Sequence, residues 1–121
     1  MINIIEFQSD ESTIRKKTEL DYELKVKVQL LFFSSIREAT GKGEDEVYIH
    51  AGSTVYELLQ LLLDTYGDAF KGEIFLPSKE DLRDDLTISI NGVIKDHSAI
   101  NTVKVSDGDI IALLPTFPGG G

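Results

Sequence analysis

The alternation of apolar and polar positions becomes regular at residue 25 and predicts five strands. The predicted strands are residues 25–33, 46–50, 86–90, 93–94 and 109–114. In the first strand, charged and apolar residues alternate from Lys25 to Leu30, which is typical of a half-buried strand, and the apolar run that follows continues it into the core. A short helix over residues 35–39 is predicted next, with Ser34 as its N-cap and Gly41 at its end.

The clearest helix runs from Thr54 to Tyr66. Thr54 and Glu57 fit a capping box, in which the threonine hydroxyl and the glutamate carboxylate each accept a hydrogen bond from a free backbone N–H group. Six apolar side chains then share one face because they recur every three or four positions. They are Val55, Leu58, Leu59, Leu62, Leu63 and Tyr66. Gly67 is expected to end the helix as a left-handed C-cap, and residues 68–85 are expected to be irregular.

Turn signals separate the later strands. Asn91-Gly92 predicts a type I′ hairpin, because both central residues of that turn need positive φ, and Asp107-Gly108 predicts the turn into the last strand. The first two strands are expected to pair as a hairpin and the long helix to cover one face of the sheet, so the predicted fold class is an α+β roll. Residues 1–24 are mixed in charge and are interpreted as a flexible N-terminal arm, whose apolar start either pairs as an edge strand or stays unpaired.

The composition of the chain argues against several classes of function. A chain of 121 residues with 41% apolar content predicts one soluble domain, and no apolar stretch is long enough to cross a membrane. The absence of cysteine excludes disulfides, a thiolate nucleophile and sulfur-ligated metal, and with no export signal visible it suits the cytoplasm. A net charge of −9 argues against nucleic acid or a membrane surface as the main partner. The charge either steers the domain toward a basic protein surface or simply keeps it in solution.

Candidate catalytic and metal-binding residues do not form a site. His50 and His97 have no companions at the spacing of a catalytic triad or a metal site. The segment 41–43 lacks the spacing of a phosphate-binding loop, and the acidic pairs 80–81 and 84–85 lack the spacing of a calcium loop. The sequence therefore predicts no catalytic residue, no metal site and a protein that is not an enzyme.

The glycines with which the sequence ends are the most informative feature. Gly119, Gly120 and Gly121 follow closely on the last apolar strand. Because glycine has no Cβ, such a tail is expected to be extended, mobile and thin enough to enter a narrow slot that would exclude any side chain. The tail presents a free carboxylate, which predicts that another protein acts on this C-terminus.

Several segments together resemble a known family. Residues 28–41, with the run Leu-Phe-Phe-Ser-Ser-Ile-Arg-Glu-Ala-Thr-Gly, resemble the first strand and helix of the molybdopterin synthase small subunit. Residues 52–59 resemble the entry to its main helix, residues 90–92 its hairpin, and residues 105–115 with the terminal glycines its last strand and tail. The resemblance covers about residues 25–121 and extends to thiamine-pathway sulfur carriers, ubiquitin-related modifiers and small archaeal modifier proteins.

The resemblance implies a ubiquitin-like β-grasp fold, with a mixed sheet of about five strands on one main helix. It implies a β-grasp domain over residues 25–115 and a glycine tail over residues 116–121. It also implies a mechanism in which a ubiquitin-activating-type adenylyltransferase, using its own ATP and magnesium, joins the terminal glycine to AMP. Sulfide then displaces AMP to give a thiocarboxylate, or a lysine amine displaces it, directly or through a thioester, to give an isopeptide.

The implied site consists of the reacting glycine and its neighbours. Gly119 to Gly121 are the candidates for activation and conjugation, and Leu113, Leu114 and Phe117 are the candidates for contact with partner enzymes. Strand alternation predicts that one of the two leucines belongs to the core instead. The family usually ends in two glycines, so the mature end is either Gly121 or, after removal of one residue, Gly120.

Several hypotheses stay open on the sequence alone. A molybdopterin synthase large subunit as partner would favour sulfur transfer, and adducts with target lysines would favour protein modification. The alternative from another class is a non-conjugating β-grasp domain that binds a partner through its sheet, with an incidental glycine tail. A weaker possibility is an enzyme subunit that contributes only structure.

Overall fold

A computed structural model gives the structure of the protein and describes residues 24–77 and 81–116. The strands are β1 (Lys25–Phe32), β2 (Glu44–His50), β3 (Leu86–Ile90), β4 (Val93–Lys95) and β5 (Ile110–Pro115). The helices are α1 (Ser34–Thr40), α2 (Val55–Tyr66) and α3 (Asp68–Ile74), with a 3-10 helix at His97–Ala99. Apart from its last residue, Leu24, the predicted N-terminal arm lies outside the described residues.

The five strands form one mixed sheet in the order β2-β1-β5-β3-β4. Strands β1 and β2 pair antiparallel as the predicted hairpin, and β3 and β4 form the second hairpin. Strand β5 lies between them, parallel to β1 and antiparallel to β3. The strand nearest the C-terminus is therefore the central strand of the sheet.

Helix α2 packs against one face of this sheet and carries the centre of the core. Its side chains Val55, Leu58, Leu59 and Leu62 are buried, while Leu63 and Tyr66 are partly buried at the edge of the core. The predicted capping box is present. The backbone N–H of Glu57 donates to the Thr54 hydroxyl (3.2 Å), and the N–H of Thr54 donates to the Glu57 carboxylate (3.0 Å). Within the described residues, no helix is long and apolar enough to cross a membrane.

The conformation of Gly67 differs from the prediction. Its φ is +81° as expected for glycine, but its ψ of −158° is not that of a left-handed helical C-cap. The chain leaves α2 at an angle that starts a further helix, α3, in a segment that was predicted to be irregular. Phe70 and Ile74, one helical turn apart, are both completely buried, and this burial stabilises a helix that is too short to show a clear period.

The start of α1 is a second correction. Phe33 occupies the N-cap position, and Ser34 is the first helical residue, with φ +51°. No side chain caps this end within the described part of the chain, so the prediction of Ser34 as a cap was wrong. Gly41 ends the helix in the left-handed conformation, as predicted.

The predicted type I′ turn is present between β3 and β4. Asn91 and Gly92 have φ values of +52° and +84°. The Asn91 side chain also holds the start of β5, because its amide donates to Asp109 (2.9 Å) and its carbonyl oxygen accepts from the N–H of Ile110 (2.9 Å). The hairpin turn and the central strand are thus connected directly.

Candidate functional site at the C-terminal strand

Strand β5 directly precedes the predicted tail. Its last paired residue, Pro115, lies opposite Leu86 of β3, and the preceding residues pair with β3 and β1 on both sides. A proline has no N–H to donate to a sheet, which suits the end of a strand. Phe117 and Gly119 to Gly121 lie outside the described residues, so the roles predicted for them stay predictions.

The two candidate leucines of β5 occupy opposite faces of the sheet. Leu113 is completely buried and packs in the core between sheet and helices, whereas Leu114 is half-buried on the other face, opposite Thr87. The prediction that one of the two belongs to the core is confirmed, and Leu113 is that residue. Of the pair, Leu114 has the side chain that a partner can reach in the folded protein.

Leu114 lies on the sheet face that does not contact α2. The strand registers place three large apolar side chains on this face together with it, at Tyr48, Ile94 and Ile110. Their exposed fractions are 55%, 72% and 41%. We call this set the outer sheet face. Each of the three lies beside a polar residue of the neighbouring strand, Lys27, Gln29 or Ser89, so they are separate exposed apolar positions that a partner can reach.

Thr116, the first residue after β5, is held by contacts that the sequence did not predict. Its N–H donates to the backbone carbonyl of Asp85, and its hydroxyl is hydrogen-bonded to the hydroxyl of Thr87. Arg83 in turn donates from Nε and Nη2 to the two carboxylate oxygens of Asp85, at 2.9 and 3.0 Å. The hydrogen bond from Arg83 lowers the pKa of Asp85 below its ordinary value.

These residues were missed because their sequence signal is weak. The acidic pair at 84–85 was considered as part of a calcium loop and rejected, whereas Asp85 pairs with the arginine two positions before it. An arginine beside two aspartates is a common surface pattern, and nothing in it indicates a contact with Thr116, 31 positions further along the chain.

The two histidines lie at opposite edges of the sheet, His50 at the end of β2 and His97 just after β4. His50 is exposed, and Nε2 of His97 is 2.5 Å from the backbone carbonyl of Leu86. Among residues 24–77 and 81–116, no group of three or more potential ligands could hold a metal ion. Among the described residues, the candidate functional site is therefore the end of β5 together with the outer sheet face.

Comparison with known proteins gives the class of this arrangement. The fold matches small archaeal modifier protein 1 from Methanosarcina acetivorans, with 31% identity, a TM-score of 0.66, and coverage of 79% of this chain and 98% of that one. It also matches a Pyrococcus furiosus protein assigned as subunit 1 of molybdopterin converting factor, with 27% identity, a TM-score of 0.60, and coverage of 76% and 99%. The complex of BexX and CysO from Amycolatopsis orientalis matches at 24% identity and a TM-score of 0.55, covering 77% and 99%, which shows the fold alone.

These neighbours define a class of small ubiquitin-like carriers and modifiers with the β-grasp fold, as predicted from the sequence. The chain belongs to the ThiS family, whose model matches residues 30–120. Members of this family are small carrier proteins rather than catalysts, which confirms the prediction that the chain is not an enzyme.

Proposed function

We propose that this protein is a sulfur carrier or protein modifier that is activated at its C-terminal glycine by a ubiquitin-activating-type adenylyltransferase. The observation that carries the proposal is the match to the ThiS family over residues 30–120, which includes β5 and the first two glycines of the tail. The central position of β5 supports it, because the tail then follows a strand that is paired on both sides.

The chemistry follows from the low reactivity of a carboxylate. The terminal carboxylate attacks the α-phosphorus of ATP, pyrophosphate leaves, and an acyl adenylate forms on the glycine. Sulfide then attacks the acyl carbon and AMP leaves, which gives a thiocarboxylate. If a lysine amine attacks instead, an isopeptide bond forms and AMP leaves with a proton lost from the amine. In this proposal ATP and magnesium belong to the partner, and the chain itself supplies the reacting glycine.

The partner needs a surface that fits this domain. The outer sheet face, including Leu114, offers it apolar contacts next to the tail, and Phe117 lies within the tail that the partner would bind. The net charge of −9 favours a partner with a basic surface around the contact. The CysO neighbour was solved in a complex with BexX, so a protein of this fold is able to assemble with a second protein.

The fate of the activated glycine distinguishes two branches of the proposal. Transfer of sulfur to a molybdopterin precursor would need a molybdopterin synthase large subunit as a second partner. Protein modification would need target lysines. Both branches require ATP, and we place them in the cytoplasm.

The exposed outer sheet face also supports the alternative function. Ile94 is 72% exposed on this face, and a non-conjugating interaction domain could bind its partner there without using the glycines. The two functions differ in whether the C-terminal carboxylate is modified.

The test is the intact mass of the chain after incubation with its adenylyltransferase, ATP and sulfide. We expect a mass increase that corresponds to the exchange of one oxygen for sulfur, dependent on ATP. Fragmentation will assign the exchange to Gly121 or Gly120 and so identify the mature end. An unchanged mass, in a mixture where the enzyme is shown to be active on another carrier, would favour the interaction domain.

A further inference from the structure

The anchoring of the chain extends one residue beyond the last strand pair. The register between β3 and β5 ends at Leu86 opposite Pro115. Thr116 is nevertheless bonded through its N–H to the carbonyl of Asp85 and through its hydroxyl to that of Thr87. These two bonds hold the residue from which the predicted tail continues.

Arg83 connects this anchor to the rest of the fold. Its Nε and Nη2 bind both carboxylate oxygens of Asp85, and its Nη1 donates to the backbone carbonyl of Gly72 in α3 (3.1 Å). One guanidinium thus joins α3 to the residue whose carbonyl receives Thr116. A forked pair of this kind sets direction as well as distance. We call Arg83, Asp85, Thr87 and Thr116 the tail clamp.

The contacts of the tail clamp add little to the stability of the core, so stability does not explain why they are present. The side chains of Arg83 and Asp85 are 39% and 38% exposed. Three of the clamp residues line an open cleft of about 420 Å³ together with Leu76 and Asp84; they are Arg83, Asp85 and Thr116. Solvent-exposed ion pairs contribute little to the free energy of unfolding. The sheet is already paired up to Pro115, so holding Thr116 adds little to the core.

We propose that the tail clamp is a positioning device for activation, which fixes the point and direction from which the glycines leave the domain. This inference rests on the proposed function. Five residues follow Thr116, so their extended reach is at most ~18 Å. Ordering a chain segment costs backbone entropy for each residue that becomes fixed, and a residue that the clamp already holds does not add to that cost.

The test compares two clamp variants with two matched controls. Arg83→Gln removes the charged fork, and Thr87→Val removes the hydroxyl that contacts Thr116 while it keeps a β-branched side chain suited to a strand. Thr87→Ser keeps that hydroxyl. Lys42→Gln removes a different ion pair, the one between the exposed Lys42 and the partly buried Asp45 at 3.8 Å.

Two readouts are measured on the full chain. Hydrogen exchange at the Thr116 amide reports whether the clamp holds, and ATP–pyrophosphate exchange with the adenylyltransferase reports the apparent KM and kcat for the chain. We expect amide exchange and the apparent KM to rise by about three- to tenfold in each clamp variant, with kcat unchanged. The melting temperature should fall by less than about 5 °C. Both controls should match the parent chain.

The outcomes separate this inference from the proposed function. Faster Thr116 exchange with a higher apparent KM supports positioning. An unchanged apparent KM, or unchanged exchange at Thr116, overturns the inference while the proposed function stands. A loss of kcat equal to a loss of folded protein in the melts would also overturn it, because the clamp would then be structural. A parent chain that is not activated at all overturns the proposed function and this inference together.

Discussion

At the scale of single residues, the side chain of Leu62 is at the centre of the contact between α2 and the sheet. It is completely inaccessible to solvent, as are Leu58 and Leu59 on the same face. Buried leucines make many van der Waals contacts in a core packed as densely as a crystal, so a truncated side chain leaves a cavity that neighbours refill only in part.

Leu62→Ala should therefore lower the free energy of unfolding by about 2–5 kcal/mol. Denaturant melts followed by circular dichroism will measure it. Asp64→Ala is the matched control, because Asp64 is exposed on the same helix and its replacement should change the free energy by no more than about 0.5 kcal/mol. Equal effects for the two variants would contradict the orientation of α2 described above.

Tyr66 makes a contribution to the free energy of unfolding that depends on pH. Its hydroxyl donates to the Asp45 carboxylate, and burial, followed by this hydrogen bond, raises the pKa of the phenol far above its ordinary value. Because the folded protein holds the proton more tightly than the unfolded chain, this stabilisation is complete below the unfolded pKa of about 10 and is lost as the pH rises above it.

Tyr66→Phe should accordingly make the free energy of unfolding less sensitive to pH above about 10. At neutral pH the variant should lose about 1 kcal/mol, since one hydrogen bond to a partly buried carboxylate is removed. Urea melts of both proteins across the alkaline range will show the difference in slope. Parallel slopes would mean that Tyr66 ionises as freely in the folded protein as in the unfolded one.

The pattern of residues along the sequence predicted which side chains form the core, but it did not predict the polar contacts around the core. Alternation was enough to predict that one of Leu113 and Leu114 belongs to the core, because burial on one face of a strand leaves a periodic signal, and the structure identifies Leu113 as that residue. It gave no indication that Arg83 would bind Asp85 and Gly72 together. Such polar contacts depend on how distant segments come together, and the local sequence carries no period that reports them.

At the scale of elements, local sequence signals are enough to specify α2, whereas α3 depends on tertiary contacts. Helix α2 has a capping box and a complete apolar face, so the sequence predicted it correctly. Helix α3 has seven residues and is held by contacts with distant parts of the chain. The hydroxyl of Ser35 donates to Glu73 (2.7 Å), and the rings of Phe32 and Phe70 pack edge to face with centroids 6.2 Å apart. These contacts override a local sequence that suggested no regular structure.

The hairpin between β3 and β4 allows a test of backbone conformation. Gly92 has φ +84°, and a Cβ added there would meet no atom within 4 Å. Gly92→Val should thus cost about 1–3 kcal/mol through backbone strain and not through a clash, because a β-branched residue strongly disfavours positive φ.

The matched control for this prediction is Gly72→Ala. Gly72 also has open space where the added methyl group would lie, but it belongs to α3 and has an ordinary helical backbone, so alanine should stabilise the protein by about 0.5–1 kcal/mol. Thermal melts of both variants will measure the two changes in stability. A harmless Gly92→Val would show that the turn relaxes to another type at little cost.

At the scale of the whole molecule, the sequence predicted the class of fold but not the order of its strands. Hairpins are local and carry turn signals, whereas the parallel pairing of β1 with β5 joins Leu31 to Ala112 across most of the chain. The resemblance to a family supplied what the local patterns lacked. Of the candidate site, the sequence predicted the strand that carries Leu113 and Leu114, and the roles given to Phe117 and the glycines stay predictions. The residues that hold Thr116 emerged only from the tertiary structure.

Deletion of Gly120 and Gly121 should separate function from folding. The carboxylate would be displaced by two residues, or ~7 Å of extended chain, and adenylation, thiocarboxylate formation and conjugation should be abolished. The melting temperature should stay almost unchanged, because two glycines bury little surface. Deletion of Gly121 alone is the companion variant, and it keeps activity if Gly120 is the mature end. Full activation of the doubly deleted chain would rule out the carrier function.

The central position of β5 has a consequence for biosynthesis. While the protein is being translated, the hairpin of β1 and β2 and the hairpin of β3 and β4 can form early, but the strand that joins them is the last of the described strands to be made. The sheet closes only after residues up to Pro115 have left the ribosome. Because closure and the anchoring of Thr116 depend on the same strand, a partner that binds the folded domain would discriminate finished molecules from nascent or damaged ones.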